Sequence, residues 1–358
     1  ISFQFNYGYN NFAGWLKSHQ SDIGDFLLLA KQNEELRDLY SSPWYYPSMK
    51  VRGEVTLEDI VTRSLSNTNP QLRDRYLLQA VRALFTLRRY QECIALWDEQ
   101  ISQLAKDNVM RSHIVPYIAG ARARIGDYKA AFETFAEVGD IASMRACAKA
   151  MGQEMYEAEA IEAIYNNCDD SYRLLDFLQS YVRSAENWHF EAYWGAGRGE
   201  NMTEGHRKLR DVALRIASRS GEKQPALWYY TAAILYDIEE RVDEAHQALS
   251  KAERYASDGI LGESIEIMRV YLDAKRLPCD SHYDRHLLSL LKPIISNVES
   301  SDSWTYGDSS LLYNLWKNKS MHYQYDMLRR IVLDVMIPRM IRCDMSVRAL
   351  QYANLVDN

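Results

Sequence analysis

LLQAVRALFTLRRYQECIALW (Leu77–Trp97), VPYIAGARARIGDYKAAFETF (Val115–Phe135) and YYTAAILYDIEERVDEAHQAL (Tyr229–Leu249) align without a gap. In register they place small or apolar residues at Val81, Ala119 and Ala233, a Tyr or Val at Tyr90, Tyr128 and Val242, a small residue at Cys93, Ala131 and Ala245, and a bulky one at Trp97, Phe135 and Leu249. That spacing predicts one helical hairpin written three times. Small side chains sit where two antiparallel helices approach closely, and bulky ones fill the groove toward the next hairpin. The expected fold is therefore an all-α, right-handed solenoid of antiparallel hairpins, preceded by a short extended N-terminal arm.

A chain of 358 residues is long for one globular core but ordinary for a solenoid, in which each hairpin needs only its neighbours. Apolar residues at 47%, charged residues at 25% and a mean hydropathy of −0.40 place it among ordered soluble chains rather than disordered or membrane ones. No apolar run approaches the roughly 20 residues of a membrane helix. The best candidate, Ile331 to Pro338, is short and carries Asp334. A net charge of −7 argues against nucleic acid as a partner, because duplex binding needs several cationic contacts on one face. The stretch RKLRDVALRIASRSGEK (Arg207 to Lys223) gathers Arg207, Lys208, Arg210, Arg215, Arg219 and Lys223. It reads as a solvated helix face, with a binding face for acidic polymer or lipid as the sharper alternative.

Cys93, Cys147, Cys168, Cys279 and Cys343 are scattered and form no CxxC pair, so neither a disulfide framework nor a zinc knuckle is expected. Cys93 occupies a small-residue position of the hairpin and reads as a buried small apolar residue. The chain begins at Ile1 and stops inside the amphipathic VRALQYANLV (Val347 to Val356), so the native chain is expected to extend at both ends.

At the N-terminus Ile1, Phe3, Phe5 and Tyr7 alternate as in an extended arm. Helices are expected at 11–18 and over Asp22 to Leu39, then a break where Pro43 and Pro47 bracket Trp44, Tyr45 and Tyr46. Thr56-Leu-Glu-Asp59 reads as a capping box opening a helix to about Leu65. From Gln71 to Gln153 hairpin follows hairpin, with Gly126-Asp127 as one turn, and helices continue with a weaker pattern to Arg183. Asn187 to Gly205, with four glycines, reads as a loop between a first segment (1–186) and a second (206–358). Beyond the third hairpin Gly259 is a helix stop, and helices fit Leu261 to Lys275, Tyr283 to Asn297 and Tyr325 to Met336, with Pro338 kinking or ending the last. Ser300 to Ser310 is turn-rich.

The three hairpins resemble tetratricopeptide repeats, closely over about a fifth of the chain and loosely over about two thirds. The copies depart from that family in their spacing, 38 residues from Tyr90 to Tyr128 rather than the usual 34 or so. Arg122 also stands where the family has an apolar residue, and the closing Pro is missing. In addition SPWYYPSMK (Ser42 to Lys50), LRDRYLLQAVRALF (Leu72 to Phe85) and LWYYTAAIL (Leu227 to Leu235) are similar to uncharacterised exported helical-repeat proteins of Gram-negative gut commensals. That resemblance implies the cell envelope, in particular the periplasm, with a cytoplasmic home as the alternative, and it implies no activity.

Several patterns touch on catalysis. Gly307-Asp308-Ser309 opens a GDS-type esterase block, but its setting is helical and no Asp-x-x-His follows. His282 and His286 lie four apart with Cys279, Asp280 and Asp284 nearby, a spacing that suits a divalent metal and a hydrolase; a helix N-terminus capped by Asp or Ser accounts for the same residues. Gly195-Ala-Gly-Arg-Gly199 lacks the Lys-Ser/Thr of a phosphate loop. Asp169-Asp170 and Glu239-Glu240 are adjacent, so their carboxylates diverge. No catalytic set, metal or cofactor is expected, and the reading is a non-catalytic scaffold for a protein or peptide. Its candidate contacts are Arg82, Arg122, Arg124 and Tyr236 on the first helices of the hairpins, with Trp188, Tyr193, Trp194, Trp304 and Tyr306 in the loops.

Overall fold

A computed structural model describes residues 22–41, 55–168, 204–256, 260–299 and 328–356, with separate positions between 174 and 185. The expected arm and helix at 1–18, the aromatic stretch at 42–50, the glycine-rich part of the loop at 187–203 and the turn-rich segment at 300–310 lie outside the described residues. Among the described residues all regular structure is helical.

The chain forms two compact units, Ile1–Met155 with Ala163–Asp170, and Tyr156–Glu162 with Ser171–Asn358. The first contains α1 (Asp22–Ser41), α2 (Leu57–Ser66), α3 (Arg73–Thr86), α4 (Tyr90–Leu96, continued by a π-helical turn over Trp97–Ile101), α5 (Val109–Arg124), α6 (Tyr128–Glu137) and α7 (Ile141–Ala150). The changeover falls within α8 (Glu157–Asn167).

Helix α2 begins where the sequence says it must. Thr56 Oγ1 accepts the Asp59 N–H at 3.1 Å and the Asp59 carboxylate accepts the Thr56 N–H at 2.8 Å, so two donors that the helix itself leaves orphaned are satisfied. Those bonds from Thr56 hold the Asp59 carboxyl below its usual range. Helix α3 packs on α1, α2, α4 and α5, α5 packs also on α4 and α6, and α6 packs on α7. The small positions carry this packing. Val81, Ala119, Cys93 and Ala131 are fully buried, and the Cys93 thiol donates to the Val81 carbonyl at 3.7 Å, joining the small positions of α3 and α4. Burial pushes that thiol up to about 12, so it behaves as a small apolar residue. Trp97 and Phe135, at the bulky position, are buried as well.

The turns repeat too. Arg88, Gly126 and Glu240 fall on one position of the three aligned segments, and all three have a left-handed backbone, with φ of 60°, 90° and 60°. In each the next N–H reaches back five residues: Arg89 to the Leu84 carbonyl at 2.9 Å, Asp127 to Arg122 at 3.0 Å and Arg241 to Tyr236 at 2.9 Å. This hydrogen-bonded helix end satisfies carbonyls that the helix leaves open. Gly139, Gly152 and Asp344 close α6, α7 and a later helix in the same way.

The second unit contains α9 (Glu204–Ala217), α10 (Pro225–Ile238), α11 (Val242–Tyr255), α12 (Ile260–Arg276), α13 (Tyr283–Glu299), a π-helical stretch (Ile331–Met336), α14 (Ile337–Arg342) and α15 (Ser346–Val356). Each of α9 to α12 packs on the next, the π-helical stretch packs on α12, and α14 packs on α15. Helix α10 is the core element, buried from Ala226 through Leu235, and Ala233 and the small Ala245 of α11 are both fully buried. Two expectations change here. The basic helix ends at Ala217 rather than near Lys223, because Ser218 to Gly221 turn the chain, with Gly221 at a φ of 81°. Helical backbone runs through Pro338, which sits in the first turn of α14, so the helix does not end before it.

Candidate functional site

Of the partner-contact candidates, Trp188, Trp194 and Trp304 lie outside the described residues, as do Tyr193, Tyr306, Gly195–Gly199 and Gly307–Ser309. The others are described. Arg124 is exposed at the end of α5, while Arg82, Arg122 and Tyr236 are half-buried rather than open on the outer side of their helices. Arg122 and Tyr236 share one position of the aligned segments, and the first hairpin has Leu84 there, which is buried. In the second segment this position reaches the next helix: Arg122 Nη1 donates to Thr134 Oγ1 on α6 at 2.5 Å. Arg82 keeps its Nε buried without a hydrogen-bond partner.

Tyr236 is clasped. The Arg210 and Arg241 guanidiniums lie 4.9 and 4.8 Å from its ring centroid, on α9 and at the start of α11. Arg210 also donates to Glu239, whose side chain is only 7% exposed, and Arg241 approaches the same carboxylate at 3.3 Å. Glu239 thus holds the α10–α11 turn to α9. Its neighbour Glu240 is exposed, so the two carboxylates diverge as adjacent side chains must.

The basic helix is largely matched by acids. Lys208 Nζ donates to Glu159 at 3.0 Å and lies 4.0 Å over the Tyr156 ring, and Arg215 and Arg219 both reach Glu162, at 2.6 and 3.4 Å. The cations of α9 are thus paired with acids, while Arg207 and Arg215 remain more than half exposed.

His282 and His286 are not assembled as ligands. Asp280 Oδ1 accepts the His282 N–H at 2.8 Å in the turn before α13, the His282 ring nitrogen Nδ1 meets Arg285 at 2.9 Å, and Asp284 pairs with Arg348 at 3.2 Å. Among the described residues no group of three or more His, Cys, Asp or Glu side chains is arranged to hold a metal. No described helix is long and apolar enough to cross a membrane.

Two clusters escaped the sequence reading. Lys275 Nζ on α12 donates to the buried Asp237 on α10 at 2.6 Å and lies 4.5 Å over the Tyr271 ring. Its signal in the sequence is weak: Asp237 is an acid where the other copies carry Phe85 and Ala123. Cys279 and Cys343, distant in the chain, line one cleft of about 520 Å³. No family model, curated protein or solved structure matches the chain.

Proposed function

We propose that the chain is built from stacked tetratricopeptide-like hairpins and acts as a non-catalytic scaffold for a protein or peptide partner in the bacterial cell envelope. The observation that carries the architecture is the coincidence, in three aligned segments, of the left-handed turn at Arg88, Gly126 and Glu240 with the fully buried small pairs Val81/Cys93, Ala119/Ala131 and Ala233/Ala245. A turn of one geometry and a seam of one width make a hairpin that its neighbours can copy. The reading as a right-handed stack follows from the resemblance of these hairpins, and so does the envelope.

The scaffold reading draws its support from what the polar groups do. Buried or half-buried charges in both units are engaged in holding helices together, as with Arg111 and Glu137, Arg210 and Glu239, and Lys275 and Asp237. A surface so built recognises by shape and exposed side chains rather than by chemistry. Arg124, exposed beside the half-buried Arg122, is the cation best placed to meet an acidic peptide or a terminal carboxylate.

The test is capture from an envelope fraction with wild-type protein and with Arg82→Ala/Arg122→Ala/Arg124→Ala, both checked for equal helix content. A partner retained stoichiometrically by wild type and lost by the variant is the expected result. An unchanged set of captured proteins removes these arginines from the interface, and capture of nothing by wild type overturns the scaffold.

A further inference from the structure

Cys279 lies in the turn between α12 and α13, and Cys343 ends α14, so 64 positions separate them in the sequence. Packing brings them together. They line one open cleft with Asp280, Ser281, Met345 and Arg348. The segment that carries Cys343 is pinned on both sides to the segment that carries Cys279. Before it, Arg339 donates to the carbonyls of Ala274 and, at 2.6 Å, Leu277; after it, Arg348 Nη1 donates to the Ser281 carbonyl at 3.1 Å and to Asp284 Oδ1 at 3.2 Å. Both thiols belong to the wall of that cleft. Cys93 and Cys147, by contrast, are buried in the core of the other unit.

We propose that Cys279 and Cys343 form a reversible disulfide, a redox modification site that locks α14 and α15 to the α12–α13 turn. The oxidant is a low-molecular-weight disulfide. Cys343 is the exposed member and meets it first, whereas burial foremost, with the neighbouring Cys343 adding to it, raises the Cys279 thiol to about 11 and keeps it protonated. The Cys343 thiolate attacks one sulfur of the oxidant, whose S–S bond breaks and whose other sulfur leaves as a thiolate that takes a proton from solvent. Cys279 then loses its proton to solvent and attacks the Cys343 sulfur, expelling the second thiol. Two cysteines are oxidised by two electrons and one disulfide is reduced to two thiols. Both backbones are already tethered around one cleft, which limits how far the two sulfurs must travel to the ~2.0 Å of an S–S bond.

The test uses the full chain equilibrated with oxidised and reduced glutathione, alkylated and mapped by mass spectrometry without reduction. The expected product is one cross-linked peptide pair containing Cys279 and Cys343, reversed by excess reduced glutathione, with Cys93 and Cys147 still alkylated. Closing so long a loop should raise the melting temperature of oxidised wild type by roughly 5–10 °C and leave Cys343→Ser unmoved. Cys343 is exposed, so that variant keeps its packing, and the wild-type map decides even if Cys279→Ser fails to fold. A stable glutathione adduct on Cys343 with Cys279 free, or both thiols free under full oxidation, overturns the proposal.

Discussion

Asp237 shows how much a single buried charge is asked to do. Its carboxylate is 6% exposed on the most buried helix of the second unit, and Lys275 is the cation that neutralises it. A buried ion pair is worth little against an apolar pair of the same shape, yet breaking it strands the survivor. Lys275→Met is therefore expected to lower unfolding free energy by about 3 kcal/mol in urea, whereas Asp237→Leu/Lys275→Met should recover most of the loss. Equal losses in single and double variants would falsify the stranded-charge account. His206 gives the matching pH effect. Burial lowers its folded value from the ordinary 6.5, against the pull of Glu157 and Glu239. Above pH 6.5 the ring is neutral folded and unfolded and contributes nothing; as pH falls below 6.5 the unfolded chain takes up a proton that the folded site resists, so stability drops. Between pH 7 and 5 wild type should lose more stability than His206→Phe, and parallel curves would remove His206 from the balance.

At the scale of the element, the hairpin turn decides what a reader of the sequence can see. Gly126 announced its turn because glycine tolerates a left-handed backbone at no cost. Arg88 and Glu240 take the same conformation under side chains that advertise nothing, and only the alignment with Gly126 could have revealed them. The capping box at Thr56 was legible for the opposite reason, since its residues make the bonds themselves. The outward side assigned to Arg82, Arg122 and Tyr236 was not legible: three segments fix which residues are small, but not how far each helix rolls toward its partner. Helical backbone passes Pro338 because the π-helical stretch gives way to an α-helical segment at Ile337, one residue before it, and a proline is tolerated in a first turn. The turn also yields a paired prediction. Nothing lies within 4 Å of a Cβ built on Gly126, so Gly126→Ala meets conformational strain alone and should cost about 1 kcal/mol. Arg88→Gly and Glu240→Gly relieve the same strain and should each raise stability by roughly 0.5 kcal/mol in denaturant titrations. A loss of stability in both glycine variants would show that the turns are not equivalent.

For the molecule as a whole, the consequence of this architecture is how far damage travels. In the second unit each of α9 to α12 packs on the next helix in the chain, and among the described residues the larger helix contacts do not join α9 directly to α13. Where helices pack mainly on their neighbours in the chain, stability is a sum of local terms and neighbour terms, and opening one helix pair loosens its neighbours before it loosens the rest. Ala245 offers the place to open it. It is fully buried where α11 meets α10, and a larger side chain there must force the two helices apart, at a cost of about 1–3 kcal/mol. Ala245→Leu should therefore raise amide exchange most in α10 and α11, less in α9 and α12, and least in α13. The readout is native-state hydrogen exchange resolved by peptide, compared with wild type at equal denaturant. The gradient is the test, because a globular core that unfolds all at once would lose the same protection in every helix. A uniform loss across α9 to α13 would mean that the neighbour terms do not dominate, and with them the stacked-hairpin account of this unit would fall.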